Sequence, residues 1–316
     1  MSYFRDILRK FRANLSFFFN TREVRYTKKE IKIVNKIYKI AFKINENNNN
    51  KLNTHKIFSN KILNLILKKQ LLNFLQVGFV QQMFFIHNRI FILFELLELF
   101  KDKKWSFWKK LISEDNIGNP VRFFIYPYSS GNKIHQIFHL KKFNDFSEIN
   151  LREFDNVIEF GGGYGNMAKT FKKINPEINY IIFDTIEVNL LQYYYLRKSN
   201  IKVTIDCFKK KQVNLINNLK ILRKTINKIK YRKKTLFIAN WSLSEVPISF
   251  RNKINFLIKN IDYQIISYQD YFEKINNKKY FEKIMKNNLR KKRMSIIQNM
   301  RSKTNNYYLF SSPSLK

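Results

Sequence analysis

The sequence predicts an α/β protein, with a doubly wound, mainly parallel sheet that ends in an antiparallel hairpin and follows a mainly helical N-terminal region. Three patterns predict this fold class. Apolar residues recur at helical spacing over residues 27–110, and strand-like segments alternate with helical ones from residue 154 onward. The last two apolar segments, 294–300 and 307–311, have the spacing of a hairpin.

The helical region begins with a capping-box pattern, in which Thr27 and Glu30 satisfy free backbone groups at a helix start. Two further amphipathic helices are predicted over 62–74 and 90–100. Over 118–140 the pattern changes to loops and short apolar stretches, which proline and glycine interrupt. The predicted parts are a helical domain over 1–115, a linking segment over 116–150 that can contact a substrate, and the α/β domain over 151–316.

The α/β domain is predicted from short apolar runs that alternate with helical patterns. Strands are predicted over 156–160, 180–183, 202–205, 235–239 and 263–267, and helices over 166–174, 186–198 and 248–259. In sheets of this kind, ligands bind beyond the carboxyl ends of the strands. We therefore expect the functional residues in the loops that follow the strands.

Four of the seven glycines lie within five residues, directly after the first predicted strand of this sheet. Gly161 and Gly163 match the start of the dinucleotide motif G-x-G-x-x-G, but its third glycine is replaced by Asn166. The segment reads E-x-G-x-G-x-G, with Glu159 and Gly165 at its ends, and resembles motif I of class I S-adenosylmethionine-dependent methyltransferases. The resemblance implies that Glu159, Gly161, Gly163 and Gly165 bind S-adenosylmethionine. A glycine turn that binds no ligand is the alternative.

A second acidic residue strengthens this interpretation. The apolar run 180–183 ends at Asp184, which lies 19 positions after Gly165. An acid about 20 residues beyond such a turn holds the hydroxyl pair of a ribose. A glycine turn alone is weak evidence for a cofactor site. The full order of strand, glycine turn, helix, strand and acid is more specific for such a site. Asp184 is therefore predicted to bind the cofactor.

The loop after the fourth predicted strand, residues 240–247, discriminates between substrates. It lacks the N-P-P-Y or D-P-P-Y turn typical of enzymes that methylate amino groups of bases, which disfavours a nucleic-acid substrate. Its sequence resembles the W-x-L-S-E-x-P segment of bacterial sugar O-methyltransferases found among surface-polysaccharide biosynthesis proteins. Segments 118–120, 184–196 and 267–272 agree with that family. Thr185-Ile186 departs from it, since the family more usually has a leucine-proline pair there.

This resemblance covers about residues 118–281 and implies methyl transfer from S-adenosylmethionine to a sugar hydroxyl. The acceptor is then a nucleotide sugar, a lipid-linked glycan or a finished glycan chain. A hydroxyl is a poor nucleophile until a general base takes its proton. Glu245 is the candidate base because it follows the fourth strand. The alternative is that Glu245 is only an acid at a helix N-terminus.

Polar and aromatic residues near the same loops complete the predicted site. Asn240 is assigned to the cofactor. The candidate substrate-binding residues are Trp241, Ser244, Gln269, Asp270, His135 and His139. Trp241 could stack on a ring or only pack the loop, and the two histidines, at positions i and i+4, could share a helical face or be ordinary core or surface residues.

The net charge of +37 suggests a polyanionic partner such as a nucleic acid or an anionic membrane surface. However, the lysines are spread along the chain among many Asn, Ile, Phe and Tyr residues, a composition expected from an A+T-rich genome. An RNA or DNA methyltransferase therefore stays open as an alternative. A non-catalytic scaffold with a methyltransferase-like fold is a second one.

Cysteine and hydropathy patterns restrict the cellular setting. Cys207 is the single cysteine, and the four histidines show no metal-ligand spacing with it, so we predict neither a disulfide framework nor a metal. The most apolar region, 71–100, is interrupted by charged and amide residues, and the N-terminus lacks a secretory-signal pattern. We expect a cytoplasmic protein, with peripheral contact at the inner membrane face as a further option.

Overall fold

A computed structural model describes residues 25–47, 55–84, 89–229, 234–288, 292–298 and 305–314. The chain divides into two compact units. The first is drawn from Met1–Phe138, Gly163–Asn166 and Glu187–Asn200, and the second from His139–Gly162, Met167–Ile186 and Ile201–Lys316. The domain boundaries predicted at residues 115 and 150 stay a prediction.

The first unit is mainly helical. Its elements are α1 (Lys28–Asn47), α2 (His55–Leu67), α3 (Gly78–Met83), α4 (Phe91–Phe100), α5 (Trp105–Ile112) and an antiparallel hairpin of β1 (Arg122–Phe123) and β2 (Tyr126–Ser130). It also contains the start of α6 (Gly131–Ser147) and most of α8 (Ile186–Lys198). The helical character predicted for this region is thus present.

The predicted capping box is confirmed at the start of α1. The Thr27 amide donates to Glu30 Oε2 at 2.8 Å, and the Glu30 amide donates to Thr27 Oγ1 at 3.3 Å. Lys198 of α8 also pairs with Glu30, at 2.7 Å. Burial raises the pKa of Glu30, but the hydrogen bonds from Lys198 and Thr27 outweigh it, so this pKa lies below its ordinary value.

The second unit is built on an eight-stranded sheet. Its elements are β3 (Asn156–Phe160), α7 (Asn166–Ile174), β4 (Asn179–Phe183), β5 (Val203–Ile205), β6 (Val213–Ile216), α9 (Leu219–Lys228), β7 (Thr235–Asn240), α10 (Ile248–Asn260), β8 (Tyr263–Gln269), β9 (Tyr271–Phe272), β10 (Ile275–Asn276), α11 (Asn277–Asn288), β11 (Lys292–Gln298) and β12 (Asn306–Pro313). The small hairpin β9–β10 lies outside the main sheet.

The strand order of the main sheet is β11-β12-β8-β7-β3-β4-β6-β5. Neighbouring strands along the series β8-β7-β3-β4-β6-β5 pair in parallel, whereas β12 pairs antiparallel with both β8 and β11. The predicted fold class, an α/β sheet that ends in an antiparallel hairpin after N-terminal helices, is therefore confirmed. The hairpin prediction 294–300 includes residues 299 and 300, which lie outside the described residues.

One apolar core of the second unit joins the sheet to three helices. Ile158 and Phe237 from the central strands belong to the same cluster as Leu222 of α9, Leu257 of α10 and Phe281 of α11. Each such buried side chain stabilises the fold by about 1.5–3 kcal/mol relative to an exposed one. This core holds the strands in a fixed register.

That register brings the ends of the central strands together. Phe160 at the end of β3 pairs with Phe183 at the end of β4, and Asn240 at the end of β7 pairs with Ser267 of β8. Because β3 also pairs with β7, the loops after four neighbouring strands leave the sheet at one edge. The candidate site is built from these loops.

Three elements differ from the sequence prediction. The helix predicted over 62–74 is α2, which ends at Leu67 and is followed by a separate 3₁₀ turn at Phe74–Gln76. Helix α6 occupies residues where loops and short stretches were predicted. Its buried residues Ile134 and Phe138 share one face and Leu140 lies on the opposite one, so no single apolar stripe is visible. Strand β6 was not predicted because Asn214 interrupts its short apolar run. In the structure Asn214 is buried and donates to the Lys209 and Gln212 carbonyls.

Candidate cofactor and substrate site

The glycine turn starts at the carboxyl end of β3, where Gly161 is locked against the loop that follows β7. Gly161 has a φ of +71°, and a Cβ atom at this position would lie 2.3 Å from Ser242 Cβ. The Ser242 hydroxyl donates to the Phe160 carbonyl. Only glycine satisfies both the backbone conformation and this close approach.

Asp184 lies directly against the same turn. The Gly162 amide donates to Asp184 Oδ2 at 3.0 Å, and the Thr185 amide donates to Asp184 Oδ1 at 2.9 Å. The carboxylate is half-buried. Asp184 thus fixes the turn from the end of the neighbouring strand, and a carboxylate is the type of acceptor that binds ligand hydroxyls.

Glu159, the first acid of the glycine motif, is buried in β3. The Tyr180 hydroxyl donates to Glu159 Oε2 at 2.8 Å. Burial raises the pKa of Glu159 from its ordinary value of 4.5 to about 8; the Tyr180 hydrogen bond opposes this shift and the charge of Asp184 adds to it. At neutral pH the carboxyl group is therefore mainly protonated. Its predicted contact with a cofactor stays a prediction.

The second half of the glycine turn belongs to the first unit and is held by α8. Gly163 and Gly165 have φ values of +54° and +95°. Gln192 Nε2 donates to the Gly163 carbonyl at 2.9 Å, and a Cβ atom on Gly165 would lie 3.3 Å from the Leu196 side chain. Residues 192 and 196, one helical turn apart, therefore shape this part of the turn.

Sequence reasoning missed Lys133, a fully buried residue of α6 next to that half of the turn. Its ammonium group donates to Asn166 Oδ1 at 2.7 Å, and Asn166 Nδ2 donates to Gln136 Oε1 at 2.8 Å. A buried ammonium group needs strong polar partners because desolvation of its charge is costly. The segment gave no signal, since lysines are frequent throughout this chain.

The loop after β7 contains a strained backbone at Trp241, which has a φ of +66° and a ψ of −39°. Its amide donates to the Ser267 carbonyl at 2.9 Å, and its carbonyl accepts from the Ser244 amide at 2.9 Å. Asn240 Oδ1 accepts from the Ser267 hydroxyl at 2.9 Å. A bulky residue at positive φ costs about 1–3 kcal/mol, and such strain concentrates at functional sites.

Glu245 ends the short 3₁₀ turn Ser242–Glu245 and is half-buried. Burial raises the pKa of its carboxyl group, and a hydrogen bond with Gln269 partly opposes the shift. The Ser244 hydroxyl donates to Gln269 Oε1 at 2.9 Å, which links the same two loops. Helix α10 begins after Pro247, and Glu245 is not in its first turn. The structure thus does not support the helix-terminus alternative for Glu245.

Asp270 follows β8 at the same sheet edge. Its amide donates to the Asn305 carbonyl at 3.0 Å, and its own carbonyl accepts from the Asn277 amide at 2.8 Å. Its side-chain Oδ1 is buried and has no hydrogen-bond partner among the described residues. A buried carboxylate oxygen of this kind is a favourable acceptor for a ligand hydroxyl.

The two histidines of α6 belong to different units. His135, in the first, has Nδ1 2.9 Å from the buried carboxylate of Glu95. His139, in the second, is buried, with Nδ1 3.5 Å from the Ser267 hydroxyl and its ring against Tyr308. These contacts are those of core histidines; the predicted substrate roles of both residues stay predictions.

The second unit therefore gathers one set of predicted residues at the ends of β3, β4, β7 and β8: Glu159, Gly161, Asp184, Asn240, Trp241, Ser244, Glu245, Gln269 and Asp270. Within the described ranges, no cluster of three or more potential metal ligands occurs. No helix in the described part of the chain has the length and hydropathy to cross a membrane.

Neither protein-family models nor curated proteins match this chain. Solved structures that are similar to it include precorrin-6y C5,15-methyltransferase from Geobacter metallireducens GS-15, at 7% identity and a TM-score of 0.38, covering 55% of this chain and 86% of that one.

Two more similar structures are an O-methyltransferase family protein from Burkholderia thailandensis and an rRNA methylase from Streptococcus thermophilus. The first has 10% identity and a TM-score of 0.37, covering 58% of this chain and 61% of that one. The second has 12% identity and a TM-score of 0.39, covering 55% and 96%. Structural similarity this distant gives no information about the substrate. The inference about the substrate therefore rests on the residues of the site.

Proposed function

We propose that this protein is an S-adenosylmethionine-dependent O-methyltransferase that acts on a sugar hydroxyl in surface-polysaccharide biosynthesis. The observation that carries the methyltransferase part is the 3.0 Å hydrogen bond from the Gly162 amide to Asp184. It joins a glycine turn after one parallel strand to an acid after the neighbouring strand. That arrangement suits a nucleoside, whose ribose needs an acceptor beside an open turn.

The residues present fit S-adenosylmethionine. Gly161 leaves no side chain in the turn, and the half-buried carboxylate of Asp184 is the type of group that binds ribose hydroxyls. When bound, the cofactor supplies a methyl group on a sulfonium centre.

Glu245 is proposed as the general base. Its half-buried carboxylate is oriented through Gln269 and has a raised pKa, so its affinity for a proton is greater than that of an exposed carboxylate. It would take the proton of the acceptor hydroxyl as that oxygen becomes the nucleophile. The catalytic requirement is that the hydroxyl lies within hydrogen-bond reach of Glu245.

A hydroxyl-rich acceptor is supported by the polar groups near this base. Asp270 offers a buried oxygen without a partner among the described residues, and Gln269 offers an amide. The Trp241 ring is half-buried and suits stacking against a sugar ring. Together with the resemblance of residues 240–247 to sugar O-methyltransferases, these groups favour a carbohydrate over a base.

The test follows a methyl label from S-adenosylmethionine into separate pools of nucleotide sugars, glycolipids and total RNA. Wild-type protein is expected to label a carbohydrate pool, and the Asp184→Ala and Glu245→Gln variants are expected to lose that label. Label in RNA, with salt-sensitive binding, would replace the sugar proposal by the nucleic-acid alternative. Cofactor binding without label in any pool would favour the scaffold alternative.

A further inference from the structure

The first unit carries an apolar groove of about 650 Å³ that the proposed reaction does not use. Helices α4 and α5 and the β1–β2 hairpin form its walls. The lining side chains that matter most are Leu93, Leu97, Phe100, Trp105, Ile125 and Tyr128. The volume is that of a ligand pocket, but the walls offer few polar groups.

The rim of this groove exposes large apolar side chains. Phe100 and Tyr128 are 60% and 71% exposed, and Leu97 and Ile125 are 42% and 46% exposed. On α4, Phe94 adds a further exposed ring one turn before Leu97. Contiguous exposed apolar surface of this kind marks an interaction site, because water contact with it is unfavourable.

Lysines are frequent in the segment that contributes Trp105 and Lys109 to the groove. The exposed ones on α5 and in the turn before it are Lys101, Lys103, Lys104, Lys109 and Lys110, and Lys109 also lines the groove. The nearby acids are less exposed than these lysines: Glu95 is buried beside His135, and Glu98 and Asp102 are half-buried. The exposed charge at the rim is therefore dominated by cations.

We propose that this groove docks on the surface of an anionic phospholipid bilayer. Leu97, Phe100 and Tyr128 enter the boundary between headgroups and acyl chains, and the lysines contact lipid phosphates. Trp105 lies in the same groove, and amphipathic aromatic rings favour this interfacial depth. The proposal does not depend on methyl transfer.

Charge selects this occupant over the alternatives. A second copy that used the same face would bring two lysine clusters together, which like-charge repulsion disfavours. A free sugar would need more hydrogen-bonding groups than the apolar walls provide. An anionic bilayer matches both the apolar rim and the cations around it.

The test measures co-sedimentation of the full-length protein with vesicles of phosphatidylcholine alone and with phosphatidylglycerol added. The apolar variant is Leu97→Ser/Phe100→Ser, and its control is Ile31→Ser/Phe42→Ser, a pair of similarly exposed residues on α1. The groove variant is expected to lower partition into anionic vesicles by about tenfold or more, whereas the control leaves it unchanged.

A second pair of variants separates this site from adsorption of a basic protein as a whole. Lys103→Glu/Lys104→Glu changes the net charge as much as Lys224→Glu/Lys228→Glu on α9, where both lysines are exposed. Only the first pair is expected to reduce binding, by about fivefold or more for each lysine. Equal losses from both pairs, equal binding to neutral vesicles, or a dimer that only the Leu97→Ser/Phe100→Ser variant disrupts would overturn the proposal.

Discussion

The Gly162 amide and the Asp184 carboxylate lie 3.0 Å apart, so the acid after β4 directly fixes the glycine turn after β3. Asp184 thereby has two tasks in the proposed enzyme. One oxygen accepts from the Gly162 amide and fixes the turn, and we propose that the half-buried carboxylate also binds the ribose hydroxyls. Cofactor affinity should therefore depend on both the charge and the acceptor geometry of this side chain.

Substitution of Asp184 separates these tasks. Asp184→Asn keeps an oxygen that can accept from the Gly162 amide but removes the charge, so affinity for S-adenosylhomocysteine should fall by about tenfold. Asp184→Ala removes both contributions and should weaken binding further, without unfolding the protein. Calorimetric titration with circular dichroism as the folding control measures both effects. Unchanged affinity in Asp184→Ala would contradict the assignment.

The contact between Gly161 and Ser242 predicts a steric rescue. Gly161→Ala should destabilise the protein by about 3 kcal/mol, because the new Cβ meets Ser242 Cβ and because φ is positive. Adding Ser242→Gly removes the clash, so the double variant should retain the backbone strain of about 1–2 kcal/mol and the loss of the Ser242 hydrogen bond to Phe160 that Ser242→Gly alone also has. Urea unfolding of the single and double variants gives the coupling energy. Additive losses would mean that the two residues are not in contact.

Glu159 predicts a pH-dependent stability. Its pKa of about 8 in the native state exceeds its ordinary value of 4.5. Between these values the unfolded chain releases a proton that the native protein keeps, so this group lowers the free energy of unfolding as pH rises, by up to about 1.4 kcal/mol per pH unit. Glu159→Gln has no titratable group at this position, so its free energy of unfolding minus that of the wild type should increase between pH 5 and pH 8. Parallel plots of unfolding free energy against pH for the two proteins would refute a buried neutral carboxyl group at Glu159.

Lys133 predicts an effect on the stability of the first unit. Its ammonium group donates to Asn166 Oδ1 at 2.7 Å, and both side chains are buried. Lys133→Met removes this donor, so the free energy of unfolding should fall by about 1–3 kcal/mol. Urea unfolding of the variant and the wild type measures the difference. Equal stability would mean that this hydrogen bond does not contribute to folding.

Glu245 predicts a defect in turnover alone. Glu245→Gln should reduce methyl transfer by about 10²–10⁴-fold with unchanged affinity for S-adenosylhomocysteine. In the wild type, activity should fall with decreasing pH through a pKa above the ordinary carboxyl value, because the base must be deprotonated. Glu282→Gln on α11 is the matched control. Activity close to wild type in Glu245→Gln would exclude it as the base.

The local sequence pattern was sufficient to predict the two helices that follow the glycine turn. Helices over 166–174 and 186–198 occur with the predicted bounds, because each has clear flanking strands or turns. Helix α6 has apolar residues around its circumference, and Asn214 disguises β6, so neither gives a regular period. Periodicity can reveal an element only when a single face of it is buried.

The site was predictable in its residue types but not in its long-range contacts. Asp184 follows from its distance to the glycines, whereas the approach of Ser242 to Gly161 depends on the pairing of β3 with β7. The positive φ of Trp241 contradicts the usual preference of a bulky residue and arises from hydrogen bonds to other segments. The burial of Lys133 likewise depends on tertiary packing.

The most direct test is calorimetric titration of S-adenosylhomocysteine into the folded wild-type protein, with Asp184→Ala alongside. We expect saturable binding of one molecule per chain, competed by S-adenosylmethionine and strongly weakened in the variant. Absence of binding to a wild-type protein whose circular dichroism shows it to be folded would contradict the assignment of the glycine turn and Asp184 to a cofactor site.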